Sequence, residues 1–319
     1  MTRILITGCL GQIGTELMPL LRSKYGKDNV IGSDISQPSE DFINQGPFTY
    51  LDVTNHQKTK DIIKEFDVDW IIHNASLLSA AGEKNPQLAM QVNIRGFENI
   101  LEIAKNKELR LLSPSSIAAF GPSTPKLNTP DFTVMRPTTI YGISKVYVEL
   151  LGEYYHTKWN TDFRSLRYPG IISNKTMPVG GTTDYAVEIF YEALKHKSYT
   201  CFLEPTTTLP MMYMDDCLTG TIQLLEADEQ QLNQRTYNLA AISFNPQQLA
   251  DGIKSYIPDF VIKYLPDFRQ SIAETWPQSL DDTHARKDWN WQHQFNLEKL
   301  VSIMLSSLSE KLEIPLVIN

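Results

Sequence analysis

Cysteine is scarce in this chain of 319 residues. Cys9, Cys201 and Cys217 lie far apart, are odd in number and include no C-x-x-C pair, so neither a disulfide framework nor a zinc site is predicted. None of the six histidines has a metal-ligand spacing such as H-E-x-x-H. We therefore expect no metal and a reducing compartment, which is the cytoplasm or, for a processed eukaryotic form, the mitochondrial matrix.

Runs of positive charge and long apolar runs are also lacking. The formal net charge is -8, and no stripe of Lys and Arg is present, which argues against a nucleic-acid or membrane-surface partner. No apolar run approaches the roughly 18 residues needed to cross a bilayer, and the first predicted strand begins at residue 3, which leaves no room for a signal peptide. Hydrophobic residues make up 42% of the chain, enough for a large core. We expect a globular protein that binds a small molecule.

The first fourteen residues carry the strongest local pattern. An apolar run from Arg3 to Thr7 leads directly into Gly8-Cys9-Leu10-Gly11-Gln12-Ile13-Gly14. This order predicts a strand, a tight turn and a helix, whose first N–H groups at Gln12 and Ile13 would face a diphosphate. Gly8 permits the turn, Gly11 lets phosphates approach the backbone, and Gly14 lets the helix pack close to the strand. The pattern therefore predicts a dinucleotide site.

The second predicted strand, 29–33, stops at Asp34, with Ile35 beside it. A carboxylate at this position is placed to accept hydrogen bonds from the adenosine ribose hydroxyls. It would repel the 2′-phosphate of NADP, and no Arg or Lys follows closely, so we expect NAD. The alternative is that Asp34 only caps a turn or helix.

The fourth predicted strand, 69–76, ends in Asn74, Ala75 and Ser76. Their small side chains leave room for the nicotinamide ribose to lie against the backbone. Asn93 falls on the following helix, where asparagine is a modest helix former, so we expect it to bond the backbone of a neighbouring strand.

A serine pair and a Tyr-x-x-x-Lys motif form the second chemical pattern. Ser115 and Ser116 follow the fifth predicted strand, 109–112, and Tyr141 and Lys145 share one face of a later helix. The lysine ammonium favours the tyrosine phenolate, so Tyr141 can take a hydroxyl proton while a hydride passes to nicotinamide. Lys145 would also hold the ribose hydroxyls. One serine would orient the substrate oxygen, and the spacing does not choose between the two.

Alternation of strands and helices through a sixth strand, 162–168, predicts an α/β fold: a Rossmann-type doubly wound parallel sheet with a smaller C-terminal substrate-side lobe. The NAD-binding domain is predicted over residues 1–171 with part of 214–240. The lobe is predicted over 172–213 and 240–319. Pro19 lies inside the first predicted helix, 12–25, and is expected to kink it.

Taken together, these motifs resemble the extended short-chain dehydrogenase/reductase family, which includes UDP-galactose epimerase-like enzymes and sugar-nucleotide dehydratases. The epimerases usually have Arg-Tyr-Phe-Asn after the sixth strand, whereas this chain has Arg167-Tyr168-Pro169-Gly170 and lacks the asparagine. With the segments 77–80, 115–121 and 180–185, the chain looks like the short-chain L-threonine 3-dehydrogenases.

This resemblance implies oxidation of the β-hydroxyl of L-threonine by NAD to 2-amino-3-oxobutyrate, without metal. It also implies a homodimer that pairs the Tyr-x-x-x-Lys helix with its neighbour, and a functional link to a 2-amino-3-oxobutyrate CoA ligase. It adds Asp52, Val53 and Ile171 as cofactor contacts. The substrate residues that it implies are Ser79, Ser115, Tyr141, Thr182, Thr183 and Trp276, with the Gly180-Gly181 segment closing over the substrate.

Three alternatives stay open at this stage. Trp276 could equally be a core or interface residue. The chain could be a nucleotide-sugar epimerase or dehydratase, which shares every motif through Lys145. It could also bind NAD as a regulatory protein without turnover, although Ser, Tyr and Lys are all in place.

Overall fold

The computed structural model describes residues 1–107, 109–177 and 181–316, and strands provide its framework. In chain order they are β1 (Ile4–Thr7), β2 (Val30–Asp34), β3 (Phe48–Tyr50), β4 (Trp70–His73), β5 (Arg110–Leu112), β6 (Ser115–Ser116), β7 (Phe163–Tyr168), β8 (Gly170–Ile172), β9 (Ser198–Cys201), β10 (Leu209–Tyr213), β11 (Thr236–Asn238), β12 (Ile242–Phe244) and β13 (Val261–Tyr264).

Helices connect most of these strands. They are α1 (Gln12–Tyr25), α2 (Glu40–Asn44), α3 (His56–Glu65), α4 (Ser79–Lys84), α5 (Pro86–Met90), α6 (Phe97–Lys107), α7 (Ile140–Trp159), α8 (Tyr185–His196), α9 (Met214–Glu226), α10 (Pro246–Lys254), α11 (Phe268–Ala273), α12 (Thr283–Trp289) and α13 (Leu297–Leu312). A π-helical segment, Gln91–Gly96, joins α5 to α6. Within the described ranges, no helix has the length and apolar character needed to cross a membrane.

The largest sheet has eight strands in the order β11-β7-β5-β4-β1-β2-β3, with β6 paired to β7. The pairs β1–β2, β1–β4, β2–β3, β4–β5 and β5–β7 are parallel. This order confirms the predicted doubly wound sheet. The chain leaves β1 toward β2 on one side and later returns to β4 on the other, so the carboxyl ends of β1 and β4 form the switch point where such folds bind ligands.

The central strands are apolar because helices cover both faces of the sheet. Leu5, Ile31, Ile71 and Leu111 come from four neighbouring strands and are almost wholly buried in one core cluster. Phe97 of α6 lies in the same cluster. A rigid core of this kind fixes the strand ends, and with them the loops that follow.

Helix α1 begins and ends as the sequence predicts and is continuous through Pro19. Proline removes one N–H donor, which leaves the carbonyl of Thr15 without its usual helical partner. Pro19 is exposed, so water can take that role. The local conflict between proline and helix is therefore tolerated at this surface position.

Contacts divide the chain into two units. The first comprises residues 1–119, 139–167 and 221–237, and the second comprises 120–138, 168–220 and 238–319. The second unit contains a three-stranded sheet of β12, β10 and β8 and a parallel pair of β9 and β13.

Residues 120–138 belong to the second unit, whereas the sequence-based boundary puts them in the first domain. Long-range bonds explain this difference. The Asn238 amide nitrogen donates to the carbonyl oxygens of Thr129 (2.9 Å) and Asp281 (3.0 Å), and its main-chain N–H donates to Asp131. Thr129 also forms an isolated bridge with Leu280.

Candidate active site

The turn between β1 and α1 has a shape that only glycine fits. Gly8 has φ of +64°, and a side chain there would bring Cβ within 2.7 Å of the main-chain nitrogen of Ala75. A Cβ at Gly14 would lie 2.6 Å from the carbonyl oxygen of Gly8. The turn, the start of α1 and the segment after β4 are therefore packed backbone to backbone, as the sequence predicts for Gly8 and Gly14.

The start of α1 is open to a ligand. Gly11 is the N-cap residue and supplies no side-chain cap to the helix. The first N–H groups of a helix, here from Gln12 and Ile13 onward, have no partner within the helix, and the helix dipole adds positive potential. This combination suits a diphosphate.

Asp34 lies at the end of β2 and is tied to the glycine turn. One carboxylate oxygen accepts from the Leu10 N–H at 3.1 Å, and the other accepts from the Ser36 N–H at 3.0 Å. These two bonds cap the turns beside Asp34, as expected if Asp34 only caps a turn or helix. A carboxylate can accept about four hydrogen bonds, so the ribose interpretation is compatible with them.

Asn74 provides an independent test of whether a cofactor fits. Its side-chain oxygen and nitrogen are both buried and have no hydrogen-bond partner among the residues that the structure describes. Burying an unpaired amide costs about 1–3 kcal/mol per group, so such atoms usually await a ligand or water. Asn74 directly follows β4 at the switch point. Together with the glycine turn, this unpaired amide fits a dinucleotide.

The remaining predicted cofactor residues of the first unit lie at strand ends. Asp52 and Val53 follow β3, and Ala75 and Ser76 follow β4. The Asp52 carboxylate accepts from the N–H and the hydroxyl of Thr54, at 2.9 and 2.7 Å. Val53 is buried against Gly96, where a Cβ would lie 2.6 Å from a Val53 methyl carbon. Ile35, after β2, is 74% exposed and offers an apolar surface at this edge.

Helix α7 brings Tyr141 and Lys145 onto one face. Its N-cap, Thr139, accepts a hydrogen bond from the Gly142 N–H at 3.1 Å, which fixes the first turn. Lys145 is buried, and its ammonium lies 5.3 Å from the centre of the Tyr141 ring. It donates to the Pro114 carbonyl at 2.8 Å, which leaves two N–H groups for other acceptors.

Burial decides the protonation of both groups. It raises the pKa of Tyr141 to about 12, against the opposing effect of a hydrogen bond from Ser116. Burial also lowers the pKa of Lys145 to about 8, and the charge of Glu149 opposes this shift. The sequence predicts that the Lys145 ammonium favours the Tyr141 phenolate; in the structure this ammonium lies near the Tyr141 ring and donates to the Pro114 carbonyl.

The two serines have different partners. The Ser116 side chain interacts with Tyr141, whose pKa it lowers, and its hydroxyl accepts from the Ala118 N–H at 3.2 Å. Ser115 is buried, and its hydroxyl donates to the Glu149 carboxylate. The structure thus brings Ser116, Tyr141 and Lys145 together and turns Ser115 away toward Glu149.

Ser79, another predicted substrate residue, is the buried first residue of α4. The loop before it is held by Asn93 of the π-helical segment. The Asn93 side chain accepts from the Leu77 N–H (2.7 Å) and donates to the Leu77 carbonyl (3.0 Å) and to Ser144 (3.3 Å). Asn93 therefore bonds backbone as expected, although in a loop rather than a strand. A π-helical turn often marks a functional site, but sequence alone does not reveal it.

The other predicted site residues belong to the second unit. Ile171 is half-buried in β8, Thr182 and Trp276 are buried, and Thr183 is half-buried. Gly180, part of the predicted closing segment, lies outside the described residues.

Gly170 explains the missing asparagine of the epimerase pattern. A Cβ at this position would lie 2.5 Å from the Met211 sulfur and 2.8 Å from the Thr183 γ-methyl carbon. Thr183 and Met211 therefore occupy the space into which an asparagine side chain would extend. In this part of the second unit, the Thr183 side chain packs against Gly170, and an asparagine at position 170 would collide with it.

Glu149 and Arg167 are part of the site but were missed from the sequence. Glu149 lies four residues after Lys145 on the same helix face, a spacing that continues the Tyr-x-x-x-Lys pattern. Its carboxylate is bonded to Arg167 of β7 at 2.9 and 2.7 Å. The i+4 spacing is the signal that could have identified Glu149. Within the described part of the chain, no three His, Cys, Asp or Glu side chains group in a way that could hold a metal ion.

Known proteins resemble this chain over nearly its whole length. The bovine (Bos taurus) mitochondrial L-threonine 3-dehydrogenase is 50% identical over 305 residues, which are 95% of this chain and 82% of the relative. The crystal structure of L-threonine dehydrogenase from Phytophthora infestans matches with a TM-score of 0.95 and 56% identity, and covers 97% of this chain and 100% of that one. A monomeric L-threonine 3-dehydrogenase from a metagenome matches with a TM-score of 0.93 and 44% identity, and covers 97% and 99% of the two chains.

The family model named "NAD dependent epimerase/dehydratase family" matches residues 4–240. This range contains the glycine turn, Asp34, the unpaired Asn74 amide and the Ser116–Tyr141–Lys145 set. With a match over most of its length and relatives of about half-identical sequence, the chain belongs to the NAD dependent epimerase/dehydratase family.

Proposed function

We propose that this protein is a metal-independent L-threonine 3-dehydrogenase that uses NAD to oxidise the β-hydroxyl of L-threonine to 2-amino-3-oxobutyrate. One observation carries the proposal: relatives named L-threonine dehydrogenases share about half of the sequence over nearly the whole chain. The grouping of Ser116, Tyr141 and Lys145 agrees with it.

Most of the residues that would hold NAD follow the carboxyl ends of β1, β2, β3 and β4 in the largest sheet, and Ile171 lies in β8 of the second unit. Gly8, Gly11, Gln12, Ile13 and Gly14 present backbone to the diphosphate. Asp34 would accept hydrogen bonds from the adenosine ribose hydroxyls, with Ile35 beside it, and Asp52 and Val53 would border the adenine. We assign contacts with the nicotinamide half to Asn74, Ala75, Ser76 and Ile171. When bound, NAD takes up the two electrons removed from the substrate.

The chain's own residues would accept the hydroxyl proton of the substrate. Tyr141 is a neutral phenol in the free protein and would take the β-hydroxyl proton of the substrate in its phenolate form, which the interaction with Ser116 favours. Lys145 adds a positive charge close to the ring and two free N–H groups for the ribose hydroxyls. We assign Ser115 a supporting role, because its hydroxyl is directed to Glu149.

The substrate is a small zwitterion, for which hydroxyl and backbone donors suffice and no arginine clamp is needed. We assign its contacts to Ser79, Tyr141, Thr182, Thr183 and Trp276. The Gly170 geometry supports this substrate over a sugar nucleotide, because Thr183 and Met211 fill the space of the epimerase asparagine.

We further propose a homodimer formed through α7. Ile143, Leu150 and Tyr154 are spaced i, i+7 and i+11, which places them on one helical face, and they are 47%, 56% and 49% exposed. The product is a β-keto acid that decarboxylates readily, so a CoA ligase that consumes it is the expected functional partner. A cytoplasmic or mitochondrial-matrix location suits this chemistry.

A substrate screen tests the proposed function. NADH formation is followed with L-threonine, L-serine, UDP-glucose and UDP-galactose, and NADP replaces NAD in a parallel series. We expect turnover with L-threonine and NAD well above that with every other pair. Activity on a UDP-sugar without activity on threonine would support the epimerase alternative, and inactivity with every hydroxyl compound would support a non-catalytic NAD-binding protein.

A further inference from the structure

Glu149 is a buried acid that the proposed mechanism does not use. It lies eight residues after Tyr141 and four after Lys145, so the three side chains follow one another along one face of α7. Glu149 is 0% exposed. Taking a carboxylate out of water costs several kcal/mol unless charged and hydrogen-bonding partners compensate it.

Two strands supply those partners. Arg167 of β7 donates through Nε to one carboxylate oxygen at 2.9 Å and through Nη2 to the other at 2.7 Å. Ser115 of β6 donates its hydroxyl to the first oxygen. The carboxylate therefore joins α7 to the strand pair β6–β7, next to Ser116.

We propose that Glu149 is a positioning residue of the proton-transfer set: its carboxylate, held by Arg167 and Ser115, keeps the Lys145 ammonium charged and aligns the Ser115–Ser116 strand with Tyr141. The inference rests on the proposed function and adds a residue to it. Glu149 acts through Lys145 and Ser115 and has no assigned contact with substrate or cofactor.

The charges around Lys145 support this role. Burial lowers the pKa of Lys145 to about 8, and the negative charge of Glu149 works against that shift. His73 of β4 also faces Lys145, but burial and the ammonium lower its pKa to about 3, so it is neutral at pH 7. Tyr141 is a neutral phenol there, since its pKa is raised to about 12. Of these three groups, only Glu149 raises the pKa of Lys145.

The groups that face Glu149 come from two elements besides its own helix. They are Arg167 of β7, Ser115 of β6, and Lys145 and Glu153 of α7. Glu153 lies one turn further along α7 and interacts with both Glu149 and Arg167. It is not among the groups that shift the pKa of Lys145, so Glu153→Gln is a matched control.

The experiment measures the titration of Lys145 directly. The free protein is prepared with 13C at the ε-carbon of lysine, and the Lys145 resonance is identified by its loss in Lys145→Arg. Its pKa is compared in wild type, Glu149→Gln and Glu153→Gln. A double variant, Glu149→Gln with Arg167→Gln, removes both buried charges together, in case the single variant leaves Arg167 unpaired and unfolded.

We expect the pKa of Lys145 to fall by about one unit or more in folded Glu149→Gln, to fall by less in the double variant because the opposing Arg167 charge is lost as well, and to stay unchanged in Glu153→Gln. In Glu149→Asp, which keeps the negative charge, the pKa of Lys145 should lie close to its wild-type value. An unmoved pKa in a folded Glu149→Gln or double variant overturns the proposal. So does failure of both neutral variants to fold, because Glu149 would then be a structural residue only.

The titration needs neither threonine nor NAD, so its outcome is independent of the substrate screen. If wild type fails to oxidise threonine while Lys145 titrates as expected, the proposed function fails and the electrostatic link stands. If wild type oxidises threonine, the folded Glu149→Gln variant should lose at least about tenfold in kcat at pH 7.5, with less change in KM for threonine.

Discussion

At the residue scale, Ser115 and Ser116 are neighbours in sequence whose hydroxyls have different partners. Ser116 interacts with Tyr141, whereas the Ser115 hydroxyl donates to Glu149. Successive residues of a strand point to opposite faces, so one of the pair meets the reacting groups and the other meets the interior. The pattern of residues predicts that a serine is needed here, but the choice depends on partners more than 20 residues away in the chain.

Alanine substitution can distinguish the roles of the two serines. Ser116→Ala removes an interaction that favours the Tyr141 phenolate, and a hydrogen bond to a charged group is worth about 1.5–3 kcal/mol, so kcat should fall roughly 10- to 100-fold. Ser115→Ala leaves Glu149 with both of its Arg167 bonds and should cost less than about tenfold. Steady-state kinetics with L-threonine provide the comparison. A larger loss in Ser115→Ala than in Ser116→Ala would contradict the assignment.

Gly170 is a second residue whose neighbours determine which side chain the position can accommodate. Gly170→Asn would place a side chain where the Met211 sulfur and the Thr183 methyl group already lie, and overpacking of this kind costs about 1–3 kcal/mol. We expect a lower Tm and a raised KM for threonine, and no gain of UDP-sugar binding.

The control for this substitution is Gly252→Ala in α10, where the added methyl would lie 3.1 Å from a Val301 methyl carbon and should be tolerated better. Thermal denaturation and isothermal titration with UDP-galactose measure the two effects. An Asn variant as stable as wild type that binds the sugar nucleotide would favour the epimerase interpretation.

At the element scale, strand β4 ends in a buried histidine whose protonation should affect the stability of the fold. His73 is buried at the end of β4, with Nδ1 2.8 Å from the Thr7 hydroxyl. Burial, and secondarily the Lys145 charge, lower its pKa to about 3, whereas a histidine in the unfolded chain titrates near pH 6.5. Between these pH values the unfolded chain binds a proton that the folded chain does not.

The free energy of unfolding should therefore decrease as the pH falls from about 6.5 toward 3, by up to about 1.4 kcal/mol per pH unit from this one group. His73→Asn cannot bind that proton, so its stability should depend less steeply on pH in the same range. Urea unfolding at several pH values measures both slopes. Equal slopes in wild type and variant would show that His73 does not stay neutral in the fold.

Helix α7 and the glycine turn show what sequence predicts well at this scale. The α1 boundaries and the shared face of Tyr141 and Lys145 follow from local spacing, and both are seen. The Glu149–Arg167 pair and the packing of Thr183 on Gly170 join residues from different elements. No local pattern encodes which partner a buried side chain meets, so those contacts required the structure.

At the scale of the whole molecule, the doubly wound parallel sheet was predictable because alternating apolar strands and helices admit few arrangements. The grouping of residues 120–138 with the second unit was not, since it depends on bonds from Thr129 and Asp131 to Asn238. A long irregular segment carries no periodic pattern that would reveal its partners.

The proposed dimer is also tested at this scale. Leu150 is 56% exposed on α7, so Leu150→Glu should leave the fold intact but place a charge in the apolar interface, and dissociate it. Leu127→Glu, at a 68% exposed position of the second unit, is the control and should stay dimeric. Sedimentation velocity measures the mass of each. A monomeric wild type, or a dimeric Leu150→Glu, would contradict the proposed interface.

The most direct measurement compares wild type and Tyr141→Phe for NADH formation with L-threonine and, in parallel, for NAD affinity by calorimetry. Phenylalanine preserves the ring but cannot take the hydroxyl proton, and a positioned general base is worth about 10²–10⁴-fold in rate. We predict that wild type oxidises threonine. The variant should bind NAD as wild type does, but its turnover should be lower by about 100-fold or more. An active Tyr141→Phe variant would contradict Tyr141 as the proton acceptor, and a wild type inactive with threonine would contradict the proposed reaction itself.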